Sequence, residues 1–286
     1  MRAYVTSFAV AVGCTLFAPV AHTDGIDTEH LFAFMIGTDV GEVGEREFQS
    51  QTTGRFAKSA GTYRALAEAT ELEFVPFKNF RAEFAAVVAT YDIGGVPGLD
   101  DLKQGGLQGV SVDLRYRFLD RGTAPFGLTF DAEMHADRLD EASGQRARHY
   151  GTDFALAFDR ELVPGKLVAG VNLLYQPEWT KFLATNRTEG QTTIGVAWSM
   201  MAQIRSSLLF GVEARYLRKY EGLGLDVSAG HALFVGPTMY IRLSGRSRLT
   251  AALSFQVSGR SAAMAGSLDL VNFERHQARL IYGINF

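Results

Sequence analysis

Apolar and polar residues alternate with a period of two along most of the chain. From Val110 to Phe118 the apolar residues take every even position, and Ser, Asp and Arg take the odd ones. Phe126–Ala136 repeats the pattern with Phe, Leu, Ala and Met at even positions. Such alternation is typical of strands whose two faces contact different environments. Similar segments recur at 152–158, 167–176, 192–200, 208–216, 233–243, 249–257 and 278–286.

Two all-β folds produce this alternation, a soluble sandwich and a membrane barrel. The polar positions here carry Asp, Glu and Arg close together, interleaved with Gly and Ala, which suits a crowded polar lumen better than an open surface. The apolar segments are about 10 residues long, the length that a tilted strand needs to cross a bilayer. We therefore predict an all-β, antiparallel up-and-down transmembrane β-barrel.

The connections indicate how the barrel is oriented. Short and long polar connections alternate, as periplasmic turns and extracellular loops do in outer-membrane barrels. Counting back from Phe286 gives about 12 strands, so that residues 45–286 form the barrel. The predicted turns are Val75–Asn79, Asp120–Ala124, Leu162–Lys166, Gln203–Ser207 and Gly245–Arg248, and the predicted loops are Ile93–Gly106, Asp137–Arg148, Pro177–Gly190, Lys219–Ala229 and Arg260–Asn272.

Two features do not fit a simple strand pattern. Residues 22–44 lie before the first strand and include the apolar stretch Leu31–Ile36, and we interpret them as a periplasmic arm or an inward plug. Glu68 falls on the lipid-facing side of its strand. This position points to a bulge or to a short lipid-facing stretch.

The two ends of the chain predict its location. Residues 1–21 combine Arg2, an apolar run and small residues before position 22, as expected of a secretory signal peptide. A transmembrane anchor and a lipoprotein signal at Cys14 are weaker alternatives. At the other end, Leu280, Tyr282, Ile284 and Phe286 alternate on one face, like the terminal strand that barrel-assembly machinery recognises. We expect export to the bacterial outer membrane, with outer-membrane lipid and lipopolysaccharide as neighbours.

Composition excludes several classes of protein. A hydrophobic fraction of 47% is too low for a helical membrane bundle, and the net charge of −3 offers no basic surface for nucleic acid. The single Cys removes disulfide frameworks and thiolate metal sites. No nucleotide-binding motif or metal-ligand set is visible, so the sequence predicts no cofactor and no metal.

Catalytic residues are not apparent either. Barrel enzymes with a Ser nucleophile need a His base nearby, and no His here has a Ser two positions later. Glu133 and His135, with Asp131 beside them, could serve acid–base chemistry. Such residues more often complete a hydrogen-bond network, and we assign no catalytic residue.

The charged positions of the predicted lumen are the one substantial group of candidate functional residues. Acids and bases nearly balance, and in a narrow barrel a buried charge is costly unless it is paired. Structural pairing is therefore favoured over a specific ionic filter. The predicted lumen-lining residues are Asp113, Arg115, Arg117, Asp131, Glu133, His135, Asp153, Glu213, Arg215, Arg242, Arg275 and Arg279.

Several phrases of the sequence resemble a proteobacterial family of uncharacterised outer-membrane barrels. They are Glu29–Phe34, Gly37–Glu42, Leu114–Arg121 and Gly230–Pro237. That family is similar to proteins described as transporters or as barrels of a meta-pathway for phenol degradation. The resemblance implies a small hydrophobic or aromatic solute, and it gives no residue a defined role.

The sequence thus predicts a passive channel or transporter for small solutes, without chemistry of its own. A sealed barrel that stabilises the membrane or presents loops to partners is the second hypothesis. A lipid-modifying barrel enzyme is the third.

Overall fold

The computed structural model describes residues 25–286, which form one closed barrel and the segment that precedes it. The predicted signal peptide and residues 22–24 lie outside the described residues. The twelve strands are β1 (Arg46–Phe56), β2 (Thr62–Phe77), β3 (Phe80–Gly94), β4 (Leu102–Leu119), β5 (Gly127–Leu139), β6 (Arg146–Val163), β7 (Leu167–Phe182), β8 (Thr188–Arg205), β9 (Leu208–Glu221), β10 (Val227–Arg242), β11 (Ser247–Ser261) and β12 (His276–Asn285).

Each strand pairs antiparallel with its neighbours in the sequence, and β1 closes the barrel against β12. The closing register runs from Glu47 opposite Asn285 to Phe56 opposite His276. Closure leaves no free sheet edge, which is the condition for a sheet to cross a membrane. The predicted antiparallel barrel of about 12 strands is confirmed. Within residues 25–286 there is no helix long and apolar enough to span a membrane.

The barrel carries apolar residues outside and charged residues inside. On β4, Val110, Tyr116 and Phe118 are exposed on the outer face, whereas Asp113 and Arg115 are buried. Strands β5 and β6 show the same inversion of an ordinary globular core, whereas the inner faces of β7, β8 and β9 also carry apolar side chains. Alternation with this polarity is expected when the outer face contacts lipid and the inner face contacts water and other polar groups.

The connections at the two ends differ less in length than the sequence indicates. Where the sequence predicts the loop Pro177–Gly190, the observed connection comprises only residues 183–187, because β7 continues to Phe182 and β8 begins at Thr188. Residues predicted as loop, such as Thr180 and Glu189, pair with each other in the ladder. Most residues at these strand ends are polar, so the period-two signal fades there although the strands continue.

Glu68 does lie on the outer face of β2, and no bulge accompanies it. The β1–β2 register is continuous through Thr52 opposite Glu68. The Glu68 carboxylate instead accepts hydrogen bonds from the hydroxyls of Ser50, at 2.5 Å, and Thr52. A small polar patch on the outer surface therefore satisfies this acid locally.

Candidate functional site in the barrel lumen

The N-terminal segment, residues 25–44, enters the barrel from the end that carries the short turns. Residues 28 and 38 lie side by side, since the Thr38 amide donates to the Thr28 hydroxyl at 3.2 Å. The residues between them reach deeper into the lumen and contact several strands. The segment is therefore a loop with a base at the turn end and a tip midway along the barrel.

A carboxylate on the wall holds the base of the loop. Asp159 of β6 accepts hydrogen bonds from the hydroxyls of Thr28, at 2.5 Å, and Thr38, at 2.7 Å. Arg121, in the turn after β4, contacts Asp159 at 3.0 Å and also pairs with Asp39 of the segment. Burial raises the pKa of Asp39 to about 6, against the opposing effect of Arg121.

Three charged residues of the wall hold the tip. Glu213 of β9 accepts the backbone N–H groups of Ala33 and Phe34, each at 2.8 Å. Arg279 of β12 donates to the Ala33 carbonyl at 2.9 Å. The Phe34 ring lies between two guanidinium groups, with its centroid 4.1 Å from Arg215 and 4.7 Å from Arg279. Such cation–π contacts gain strength where water is excluded.

One flank of the loop packs on an apolar patch of the lumen wall. Leu31, Phe32 and Met35 are buried against the side chains of β7, β8 and β9. Burial of these side chains stabilises the docked loop because it removes apolar surface from water. Asn172 adds a two-way contact, accepting from the Ile36 amide at 2.8 Å and donating to its carbonyl at 3.0 Å. The wall residues of the patch are Val168, Ala197, Met201 and Leu209.

The other flank meets a dense group of ionisable residues. His30 Nε2 lies 3.5 Å from a Glu47 oxygen and 3.8 Å from oxygens of Glu29 and Glu73. Arg81 contacts Glu73 at 3.1 Å, and Arg248 contacts Glu47. Burial lowers the pKa of His30 well below its usual value, and the nearby arginines add to this effect. Burial also raises the pKa of Glu29 well above its usual value.

A cavity of about 820 Å³ lies between the N-terminal loop and the connections at the opposite end of the barrel, which the sequence predicts to be extracellular. Residues 29–36, apart from Leu31, form part of its floor, and wall residues of most strands line its sides. Arg117 and Asp159, at the turn end, do not line it. Its lining includes 14 Asp or Glu side chains and nine Lys or Arg side chains, so the walls are polar and carry an excess of acidic groups.

Ten of the twelve residues predicted to line the lumen fall into three groups. Arg115 lies between two carboxylates, with Nε 2.6 Å from Asp131 and Nη2 2.8 Å from Asp113. Glu213, Arg215 and Arg279 bind the tip of the loop, and Arg117 pairs with Asp39 at 3.3 Å. Glu133, His135 and Asp153 line the cavity.

Arg242 and Arg275 lie elsewhere. Both are exposed, Arg242 at the turn end of β10 and Arg275 just before β12 at the opposite end, and neither lines the cavity. Their positions follow the lumen-facing alternation, but the ends of the barrel are open to solvent. Leu280, Tyr282 and Ile284 face outward on β12, followed by the exposed Phe286.

Sequence reasoning missed which residues of the lumen hold the N-terminal segment. Alternation puts Asp159 and Asn172 on the polar faces of their strands, but no local pattern marks them, or Asp39, as the contacts that dock the segment. The predicted loop begins at Asp137 and ends just before His149, yet these two residues are register partners on β5 and β6. The His-x-Asp spacing of His135 and Asp137, which puts both on one strand face, is the signal that could have identified this group.

Comparisons with known proteins agree with the architecture. The COG4313 outer membrane channel from Pseudomonas putida F1 has a TM-score of 0.63 and 11% identity, covering 87% of this chain and 98% of that chain. The beta domain of the Bordetella autotransporter BrkA has a TM-score of 0.50 and 13% identity, covering 86% and 100%. At these identities the likeness shows the fold alone, that of outer-membrane β-barrels. No curated protein matches the sequence. A family model described as a family of unknown function (DUF6662) matches residues 24–286, and the chain therefore belongs to that family.

Proposed function

We propose that this protein is an outer-membrane channel for small solutes, narrowed by its own N-terminal segment. The observation that carries the proposal is the polar cavity of about 820 Å³ above the loop of residues 25–44. A sealed structural barrel has no need of such a volume inside it, because ion pairs and packed side chains fill a narrow lumen at lower cost.

The docked loop separates the cavity from the turn end of the barrel. Between residues 28 and 38 its hydrogen-bond partners on the barrel are side chains of the wall rather than backbone of the sheet, as at Glu213, Asn172 and Asp159. The twelve strands pair with one another in a complete ring without it. Displacement of the loop would therefore open a path without breaking the barrel.

The chemistry of the walls bears on the solute. Acidic and basic side chains surround the cavity, which favours small hydrophilic solutes over the hydrophobic or aromatic ones that the sequence resemblance implies. One of the solved barrels of this fold is an outer-membrane channel, and this supports transport as the role of the fold here. We propose no reaction for the lumen.

Single-channel current in a planar bilayer tests the proposal. The refolded full-length protein should give a small conductance, and a variant lacking residues 25–44 should give a conductance several times larger. Liposome-swelling assays with a small sugar and with an aromatic acid then compare the two solute classes. Heat-modifiable migration on gels confirms that each barrel is folded. Silence in both folded proteins would contradict the proposal and favour the sealed barrel.

A further inference from the structure

A second group of side chains in the lumen lies apart from the N-terminal loop. His135 and Asp137 on β5 and His149 on β6 face inward, in the half of the barrel near the extracellular connections. His135 Nδ1 is 2.8 Å from Asp137 Oδ2, and His149 Nδ1 is 3.9 Å from the same oxygen. One possible ligand atom from each of the three residues lies within 4.8 Å of the others.

The register of the sheet builds this group. Asp137 is opposite His149, and one row lower His135 is opposite Gly151. Gly151 is in turn opposite Glu178 of β7, whose carboxylate lies 3.9 Å from His149 Nε2. Four ligand-type side chains on three adjacent strands thus converge around a position without a side chain.

Two glycines make the space that these side chains occupy. A Cβ atom at Gly151 would lie 2.3 Å from His135 Nε2, and one at Gly109 would lie 1.8 Å from Asp137 Oδ1. Any larger residue at either position would displace the imidazole or the carboxylate. The positions of the His135 and Asp137 side chains therefore depend on Gly151 of β6 and Gly109 of β4.

His149 supplies an independent observation. It is only 3% exposed, and neither of its ring nitrogens has a hydrogen-bond partner among the described residues. Buried polar groups in native proteins are almost always paired, so two unpaired nitrogens on one buried ring call for a partner. An ion between His149 Nδ1, Asp137 and His135 would supply a partner for Nδ1, and Nε2 faces the Glu178 carboxylate at 3.9 Å.

We propose that His135, Asp137 and His149 bind a divalent transition-metal ion of the Zn²⁺ class. Two imidazole nitrogens and one carboxylate oxygen are the ligand types that Zn²⁺ and similar ions accept, and three protein ligands leave a coordination position for water. Glu178 is the positioning residue. Its carboxylate faces the second nitrogen of His149, as the carboxylates that orient metal-binding histidines do.

The remaining coordination position opens to the cavity, because all four side chains line it. Asp153 and Glu133 lie nearby on the same walls and add negative charge that attracts a cation. The inference is independent of the proposed channel function, since an ion can bind whether or not the barrel conducts.

Binding of Co²⁺, a spectroscopic substitute for Zn²⁺, tests the inference in the refolded full-length protein. The expected result is one Co²⁺ per barrel with a visible absorption band, displaced by ZnCl₂. His149→Ala should weaken binding at least tenfold, and Glu178→Gln should weaken it by about 10-fold or more, as loss of such supporting carboxylates typically does. His231→Ala is the matched control, since His231 faces outward on β10 beside Tyr216.

Three results would overturn the inference. The first is a folded wild-type protein that binds no Co²⁺. The second is unchanged binding in His149→Ala. The third is binding lost in His30→Ala and kept in His149→Ala, which would place the ion at the cluster of Glu29, His30 and Glu73 instead. Heat-modifiable migration separates loss of a ligand from loss of the fold in each variant.

Discussion

Arg115 shows how single residues keep the lumen charged without destabilising it. Arg115 is only 9% exposed, and its guanidinium bridges two carboxylates on adjacent strands, at 2.6 and 2.8 Å. A buried pair of this kind adds little net stability compared with apolar residues of similar size, but removal of one partner leaves an uncompensated charge. The arrangement therefore fixes side-chain positions in the wall more than it adds to the free energy of unfolding.

Replacement of Arg115 should show that loss of one charged partner costs more stability than neutralisation of the whole group. Arg115→Met should lower the free energy of unfolding by about 3–5 kcal/mol, because Asp113 and Asp131 lose their shared partner. The triple variant Arg115→Met/Asp113→Asn/Asp131→Asn should recover a large part of the loss. Denaturant titration followed by heat-modifiable migration measures both. Equal stability of the single and triple variants would refute the argument.

Glu213 has a different role, since its partners belong to the N-terminal loop. Glu213→Ala removes the acceptor of two buried N–H groups, each hydrogen bond to a charged group being worth about 1.5–3 kcal/mol. We expect the population of displaced loop to rise at least tenfold, while the barrel stays folded. A protease that cleaves at apolar residues, with mass spectrometry of the products, reports cleavage near Phe34. Glu133→Ala, which removes a cavity acid that does not bind the loop, is the control and should leave cleavage unchanged.

At the scale of elements, the sequence predicts the strands, and it predicts the N-terminal segment as an arm or an inward plug, but not the wall residues on which that segment docks. Period-two alternation identifies a strand wherever its two faces contact different environments, as on β4 and β5. The apolar stretch Leu31–Ile36 carries no such signal, because its partners are lumen positions on β7, β8 and β9 that become neighbours only when the barrel closes. For the same reason the pairing of Asp137 with His149 could not be derived from their separation in sequence.

Gly127 gives a direct test of how the loop docks. A Cβ atom at this lumen-facing position would lie 2.0 Å from Thr38 Oγ1 and 2.8 Å from Asp159 Oδ1. Gly127→Ala should weaken docking by about 1–3 kcal/mol, the typical cost of an overpacked site, and should raise the single-channel conductance. Gly106→Ala is matched, because nothing lies within 4 Å of its Cβ position. An equal effect of the two substitutions would argue against a loop docked at Gly127.

The burial of His30 predicts that docking of the N-terminal loop depends on pH. The docked loop holds the pKa of His30 below its usual value near 6.5, so the displaced loop binds the extra proton as the pH falls. His30 therefore contributes docking stability above pH 6.5 that is lost on acidification. Glu29 acts in the opposite direction, because docking raises the pKa of its carboxyl.

The His30→Gln variant separates these two effects. Conductance of the wild type and the variant, compared at pH 7.5 and pH 5.5, isolates the contribution of His30, since Glu29 is present in both. We expect acidification to favour the displaced loop more in the wild type than in the variant. A pH response of the same size in both proteins would show that His30 stays in one protonation state.

In the whole molecule the usual polarity of a globular protein is reversed, because most apolar side chains of the strands face outward and many ionisable side chains are enclosed. Aromatic pairs mark both ends of the outer surface, Phe126 with Phe158 near the turns and Tyr150 with Trp179 near the loops. Rings at these levels match the interfaces of a bilayer. The lipid-facing band and the enclosed cavity therefore share one set of strands, and alternation assigns each residue to one or the other.

Because the enclosed charges come from many strands, we expect ion selectivity to depend on the whole cavity lining. Its lining has five more acidic than basic side chains, counted as 14 against nine, and such a field favours cations. In a KCl gradient, with a chelator present, the reversal potential should indicate a preference for K⁺ over Cl⁻. The preference should fall in the triple variant Glu133→Gln/Asp153→Asn/Glu178→Gln, which removes three acids of the wall.

Glu68→Gln is the control for that measurement, because it removes one acid from the outer face and leaves the cavity unchanged. Its effect on the reversal potential should be close to zero, since a charge on the lipid side of the wall does not contact the solution inside. Anion preference in the wild type would contradict the argument from the cavity charge. An equal fall of the K⁺ preference in the Glu68 variant and in the triple variant would contradict it as well. The total charge of the protein would then determine which ions enter, and the side of the wall on which a residue lies would have no effect.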